Sequence, residues 1–316
     1  MTHRTLVTGG AGFIGSHLVD RLVATGEQVI VLDNLSSGKS KNLPPQADLV
    51  EGDVIDDVLV KDLMQSVDSV FHLAALVSVQ ECIKDWNLGH RVNLGATVRL
   101  LDAAAKVRPS GVPVVYASSA AVYGDNSGAG CSESSLPAPI SPYGADKLSC
   151  EHQARAMAAI HGLPSVGLRF FNVYGPRQDP QSPYAGVISR FCANRLANSP
   201  HTVFGDGQQS RDFIYVSDIV DGLIRARAYA KNRANASVFN LCTGVETTLV
   251  GLASHIDGVT GRSATPIIHA AARSGDIRMS LGDPSLALRD LGFVAQTNIR
   301  SGLSHLWSAL TKDQYL

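Results

Sequence analysis

The chain has 316 residues, enough for one large domain or two smaller ones around a sizeable core. Hydrophobic residues at 45% and charged residues at 17% describe an ordinary globular protein, and a formal net charge of −1 excludes the basic surface that nucleic acid or an anionic membrane requires. Five scattered cysteines, none in a CxxC pair, exclude a disulfide framework and a zinc site, and no metal is expected.

In chain order, residues 5–8, 28–33, 70–74, 114–118 and 165–171 are short β-branched runs that read as buried parallel strands. Residues 13–24, 57–66, 88–106 and 142–160 read as the helices between them. This alternation predicts crossover units and an α/β fold with a doubly wound parallel sheet. Beyond Phe171 the rhythm loosens and Pro and Gly become frequent, which predicts a smaller α/β domain capping the carboxyl ends of the strands. The Gly- and Ser-rich stretch 125–135 reads as a mobile loop. The longest apolar stretch, 67–79, is broken by Asp68, Ser69, His72 and Ser78 and is not expected to span a bilayer. The first residues enter a strand without a basic and apolar leader, so a cytosolic protein is expected.

The turn after the first strand, Thr8-Gly9-Gly10-Ala11-Gly12-Phe13-Ile14-Gly15, opens the first helix. It satisfies GxGxxG from Gly10 and GxxGxxG from Gly9, and the sequence leaves the phase open. In either phase the glycines let the backbone approach a pyrophosphate seated on a helix N-terminus. The second strand ends in Asp33, where an acid accepts from the adenosine ribose hydroxyls. A carboxylate there repels a 2′-phosphate, so NAD is the expected cofactor. The Rossmann domain is placed at 1–171, with a later segment at about 208–242 returning to it, and a discontinuous second domain at 172–316.

Two stretches near the middle name a chemistry. They are Ser118-Ser119-Ala120-Ala121-Val122-Tyr123-Gly124 and Ser141-Pro142-Tyr143-Gly144-Ala145-Asp146-Lys147. Of eight tyrosines, only Tyr143 has a lysine four positions later, which puts phenol and ammonium on one helical face. An ammonium beside a phenol favours the phenolate, the base that hydride transfer from a carbinol carbon needs. Ser119 adds a hydroxyl.

With these residues in place, the chain resembles the extended short-chain dehydrogenase/reductase family, and within it the UDP-hexose 4-epimerases. The resemblance also rests on Asp33-Asn34, Gly52-Asp53-Val54, His72-Leu73-Ala74-Ala75, Arg169-Phe170-Phe171-Asn172-Val173-Tyr174-Gly175, Arg211-Asp212-Phe213 and Arg273-Ser274-Gly275-Asp276-Ile277-Arg278. It implies Ser119, Tyr143 and Lys147 as the catalytic set. For the dinucleotide it implies Gly9, Gly12, Phe13, Ile14, Gly15, Asp33 and Asn34, with Asp53 and Val54 around the adenine. Leu73, Ala74, Ala75, Asn93 and Phe171 would line the cleft, and Lys147 would hold the nicotinamide ribose. For the substrate it implies Asn172, Arg211 and Arg273 at the diphosphate and Phe204 beside the uracil, with Asp276 and Ser280 toward the sugar.

Dehydratases of this family carry Thr-Asp-Glu where this chain has Ser119-Ala120-Ala121, and two alanines transfer no protons. The resemblance therefore implies an epimerase that oxidises C4 and returns the hydride. Members restricted to UDP-glucose and UDP-galactose place a tyrosine where Ser280 stands, so room for a 2-acetamido group is expected. A homodimer through the helix carrying Tyr143 and the one before it is implied as well. A dehydratase, decarboxylase or reductase of the same family is the alternative enzyme, and an NAD-binding sensor the non-catalytic one.

Overall fold

The computed structural model describes residues 2–125, 130–179, 186–231, 233–261, 263–272 and 277–312. The first half builds β1 (Arg4–Thr8), α1 (Phe13–Ala24), β2 (Gln28–Asp33), β3 (Asp48–Glu51), α2 (Asp57–Met64), β4 (Ser69–His72), α3 (Val79–Lys84), α4 (Trp86–His90), α5 (Ala96–Lys106), β5 (Val114–Ser119), α6 (Pro142–His161) and β6 (Ser165–Phe170). The second half adds β7 (Asn172–Tyr174), α7 (Val187–Leu196), β8 (His201–Phe204), β9 (Ser210–Tyr215), α8 (Val216–Ala230), β10 (Ala236–Leu241), β11 (Glu246–Thr248), α9 (Leu249–Thr260), β12 (Ile267–Ala270), β13 (Met279–Ser280), α10 (Ser285–Leu291) and α11 (Ile299–Lys312).

Seven strands pair in parallel in the order β10-β6-β5-β4-β1-β2-β3. The doubly wound sheet expected from the sequence is therefore present. Alternation along each strand fills both faces: Val7, Val31, Phe71 and Val115 pack under α1 and α8, while Leu6, Ile30, Val70 and Val114 pack under α2, α5 and α6. The winding direction reverses between β1 and β4, the point at which such sheets open a crevice at their carboxyl ends. A smaller sheet centred on β9, with β7, β11 and β13, and the pair β8–β12 stand beyond those ends. The return to the large sheet expected over 208–242 begins with α8, because β9 belongs to the smaller sheet and only α8 and β10 join the larger one. No helix among the described residues is long and apolar enough to cross a membrane.

Three local differences from the sequence reading shape the site. The strand expected at 70–74 stops at His72, because Leu73 N donates to Thr8 O and Ala74 N to the Thr8 hydroxyl, which carries the chain over the glycine turn. The helix expected at 88–106 begins at Trp86 and is interrupted by a π-turn at Arg91–Gly95. The widened turn swings Asn93 inward, where its amide bonds both backbone groups of Leu76. In the stretch expected to be mobile, residues 126–129 lie outside the described residues, but Cys131 is buried and bridges to Gly282.

Candidate active site

Steric detail at β1–α1 requires glycine at both candidate first positions of the motif: a Cβ on Gly10 would lie 2.8 Å from the Val31 side chain. Gly9 has φ +69°, and a Cβ there would lie 2.6 Å from the Ala74 amide nitrogen. A Cβ on Gly15 would collide with the Gly9 carbonyl oxygen, so Gly15 is what lets α1 pack on the turn. Beside Gly12 a Cβ would meet only that same oxygen, at 3.2 Å, which leaves open space next to a helix N-terminus that no side chain caps. Glycine is thus demanded at Gly9, Gly10 and Gly15, and the space at Gly12 suits a diphosphate. Phe13 and Ile14 turn their side chains into apolar clusters, so they present backbone amides rather than side chains at that N-terminus.

Asp33 is 8% exposed, and its two carboxylate oxygens accept from Ala11 N and Leu35 N, each at 2.9 Å. It therefore shapes the loop around the residue that the resemblance implies at the ribose. Asn34 donates to Asp53 Oδ2 at 3.0 Å, bringing the two residues implied at the adenosine together. The sequence reading missed Asn42, whose side chain joins the Lys39 amide in donating to Ala11 O and so straps the loop across the glycine turn. Leu73, Ala74 and Ala75 are half-buried along the cleft, whereas Val54 and Phe171 are buried in core clusters.

Beneath the cleft runs a chain of buried groups with one possible direction. Thr97 donates to Asn93 O at 2.6 Å, so His72 Nε2–H must donate to Thr97 at 3.0 Å. His72 Nδ1 then accepts from the Thr8 hydroxyl at 2.7 Å, and that hydroxyl accepts from Ala74 N. Burial, reinforced by the Lys147 ammonium, pulls the imidazole down to about 3, so it stays neutral.

The candidate catalytic residues Ser119, Tyr143 and Lys147 come together at the carboxyl end of β5. Ser118 is buried and donates to Glu151, which leaves its half-buried neighbour Ser119 as the hydroxyl at the cleft; Ser119 Oγ accepts from Ala121 N at 3.1 Å. Ser141 caps α6 and Pro142 opens it. A Cβ on Gly144 would lie 2.5 Å from the Ala121 carbonyl, so only glycine lets α6 sit this close to the turn after Ser119. Tyr143 and Lys147 thereby share the helical face next to β5. Lys147 is 3% exposed; its ammonium donates to Ala117 O at 2.9 Å and stands 5.7 Å from the centre of the Tyr143 ring.

The residues implied at the substrate lie on the smaller sheets. Asn172 opens β7, and Arg211 in β9 lies opposite Ser280 of β13. Phe204 ends β8, and its carbonyl accepts from Gln209. Arg273 and Asp276 lie outside the described residues. Asp212, beside Arg211, is buried and accepts from Thr243, Gly244 and Gly282. It pins the loops around that wall, and burial pushes its carboxyl up. Its place in Arg211-Asp212-Phe213 was its only sequence signal.

A sequence profile of the NAD dependent epimerase/dehydratase family matches residues 5–242. The chain belongs to this family. NAD is its cofactor, and the open space at Gly12, the Asp33 carboxylate and the cleft along Leu73–Ala75 fit that dinucleotide. The chain is 39% identical over 309 residues to the UDP-glucose 4-epimerase of Mycolicibacterium smegmatis, covering 95% of this chain and 96% of that protein. The UDP-glucose 4-epimerase of Thermotoga maritima, crystallised with UDP-glucose, matches at TM-score 0.92 and 36% identity, covering 98% of this chain and 99% of its own. The UDP-N-acetylglucosamine 4-epimerase of Methanobrevibacter ruminantium M1, in complex with UDP-N-acetylmuramic acid, matches at TM-score 0.92 and 35% identity, covering 99% and 100%.

Proposed function

We propose that this protein inverts C4 of UDP-hexoses, UDP-glucose/UDP-galactose and UDP-GlcNAc/UDP-GalNAc, through a 4-keto sugar. The observation that carries the reading is the gathering of Ser119, Tyr143 and Lys147 at one strand end, next to two alanines that offer no further acid or base. Bound NAD would supply the acceptor, and then the donor, of the C4 hydride. Tyr143 removes the proton of the 4-hydroxyl and later restores it. Ser119 hydrogen-bonds the same oxygen. Lys147, held by the Ala117 carbonyl, places its charge beside the phenol and the nicotinamide ribose. Arg211 and Arg273 grip the diphosphate, as guanidinium forks do. Asn172 assists them and Phe204 lies beside the uracil, so the nucleotide stays anchored while the ketone turns over. Asn93 serves the cleft through the Leu76 loop it holds. A dinucleotide that ends each cycle as it began stays bound. A second copy of the chain would pack on α5 and α6, which lie side by side.

Ser280 in place of a bulky side chain leaves room for an N-acetyl group. Incubation with UDP-Glc and UDP-GlcNAc separately, without added NAD, should convert both, as read from the anomeric NMR signals. Ser280→Tyr should keep UDP-Glc turnover and lower kcat/KM for UDP-GlcNAc by about ten- to hundredfold, the cost of refusing a group that no longer fits. Undiminished UDP-GlcNAc turnover in that variant would remove Ser280 from the specificity wall.

A further inference from the structure

A buried hydrogen-bond path runs from the catalytic helix to the wall that the second domain builds. Glu151, one turn beyond Lys147 on α6, is wholly buried and receives Ser118 Oγ at 2.6 Å and Arg169 twice, at 2.9 and 2.7 Å. The remaining Arg169 arm donates to Tyr123 Oη at 2.8 Å. Arginine has no acceptor, so the Tyr123 hydroxyl must accept from it and pass its own proton to Asn240 Oδ1, at 2.7 Å. That fixes which way the Asn240 amide faces. Its NH₂ group donates to Cys131 O at 2.8 Å and Asp283 O at 3.4 Å, while its backbone N–H is held by Glu133 at 2.6 Å. Cys131 in turn accepts from Asp283 N at 2.9 Å and donates to Leu281 O at 2.8 Å. Arg169, Tyr123 and Asn240 are at most 2% exposed, so a missing partner cannot be replaced from solvent.

We propose that Tyr123 and Asn240 are positioning residues for the hexose: through them α6, which carries Tyr143, sets the place of the 131–133 and 281–283 loops. The inference rests on the reading of Ser280, two residues before Gly282, as the neighbour of the sugar. None of the path residues touches substrate or cofactor in that reading. The path ties the base to the surface that orients C4, a surface that Asp212 of β9 also holds through Gly282. A wall that only orients the sugar adds little affinity, and its displacement costs alignment rather than binding.

Tyr123→Phe tests this with one oxygen atom. It keeps the apolar cluster with Phe171 and the Arg169–Glu151 ion pair, and it orphans both Asn240 Oδ1 and one Arg169 N–H. The expected result is a fall in kcat of about tenfold on both UDP-hexoses, well short of what loss of the base itself would cost. KM, inhibition by UDP and NAD content should stay within about twofold. Backbone amide exchange at 131–133 and 281–283 should quicken at least about tenfold, with other protected segments unchanged. Faster exchange with unaltered kcat would overturn the positioning role, and so would UDP inhibition weakening in step with kcat. Unchanged exchange would overturn the path itself. Should that variant fail to fold, Glu133→Ala, which frees the Asn240 backbone from the half-buried side, is held to the same criteria. Native protein that converts neither UDP-hexose refutes the epimerase reading, and the exchange data still decide the path.

Discussion

Tyr143→Phe is expected to lower turnover of UDP-hexoses by about 10²–10⁴-fold, the usual weight of a positioned base, while NAD content and UDP binding stay native. The reason is local. The substitution removes one hydroxyl from a half-buried ring and leaves the rest of α6 unchanged. Lys147 keeps its bond to Ala117 O, so the ammonium does not wander into the vacated space. Ser119 cannot take over as the base: its oxygen is a simple hydroxyl already accepting from Ala121 N, and Ala120 and Ala121 contribute no ionisable group. Anomeric NMR time courses of the variant and the native protein, with bound NAD measured by its absorbance after release, provide the check. Full turnover in the variant would take Tyr143 out of the chemistry.

The second large effect is on stability, and it comes from His72. In the unfolded chain this imidazole takes up a proton near its ordinary value of 6.5; in the native protein it does so only at about 3. Between those values the unfolded state binds more protons, so stability is intact above about pH 6.5 and is lost as pH falls. The loss from this one group is about 1.4 kcal/mol per pH unit and reaches about 5 kcal/mol by pH 3. His17 and His201, whose pKa values burial also lowers, add losses of the same sign. The buried Asp212 and the half-buried Glu133, whose carboxyls burial pushes up, oppose them at lower pH. His72→Gln can still donate to Thr97 but leaves the Thr8 hydroxyl without its acceptor, at a cost of about 1–3 kcal/mol at pH 7. Its urea-unfolding free energy should therefore be lower at neutral pH and fall less steeply below pH 6. Parallel pH profiles for the two proteins would contradict the assignment.

The sequence carried the parts of this site that depend on a single strand or helix. The runs at 28–33 and 13–24 appear with the bounds read from them, because both are strongly apolar and end in turn residues. The edge strand β3 went unread: Asp48-Leu49-Val50-Glu51 is largely exposed and has no apolar run to report it. The π-turn was equally silent, since five residues of slightly wider winding do not disturb a helical pattern. Spacing could not say which glycines the turn needs, because the reasons are a positive φ at Gly9, the Val31 side chain against Gly10 and the packing of Gly15 on the Gly9 carbonyl. The path through Glu151, Arg169, Tyr123 and Asn240 is spread over more than a hundred positions, and each member looks ordinary alone. Tyr143 and Lys147 were legible because one helix fixes their relation.

The most direct test of the central claim follows the hydrogen at C4. UDP-glucose deuterated at C4, incubated with the protein and no added cofactor, should give UDP-galactose that keeps its deuterium at C4, because the same hydride leaves and returns. Epimer formed with the label lost to water, or no epimer from any UDP-hexose, would contradict the account.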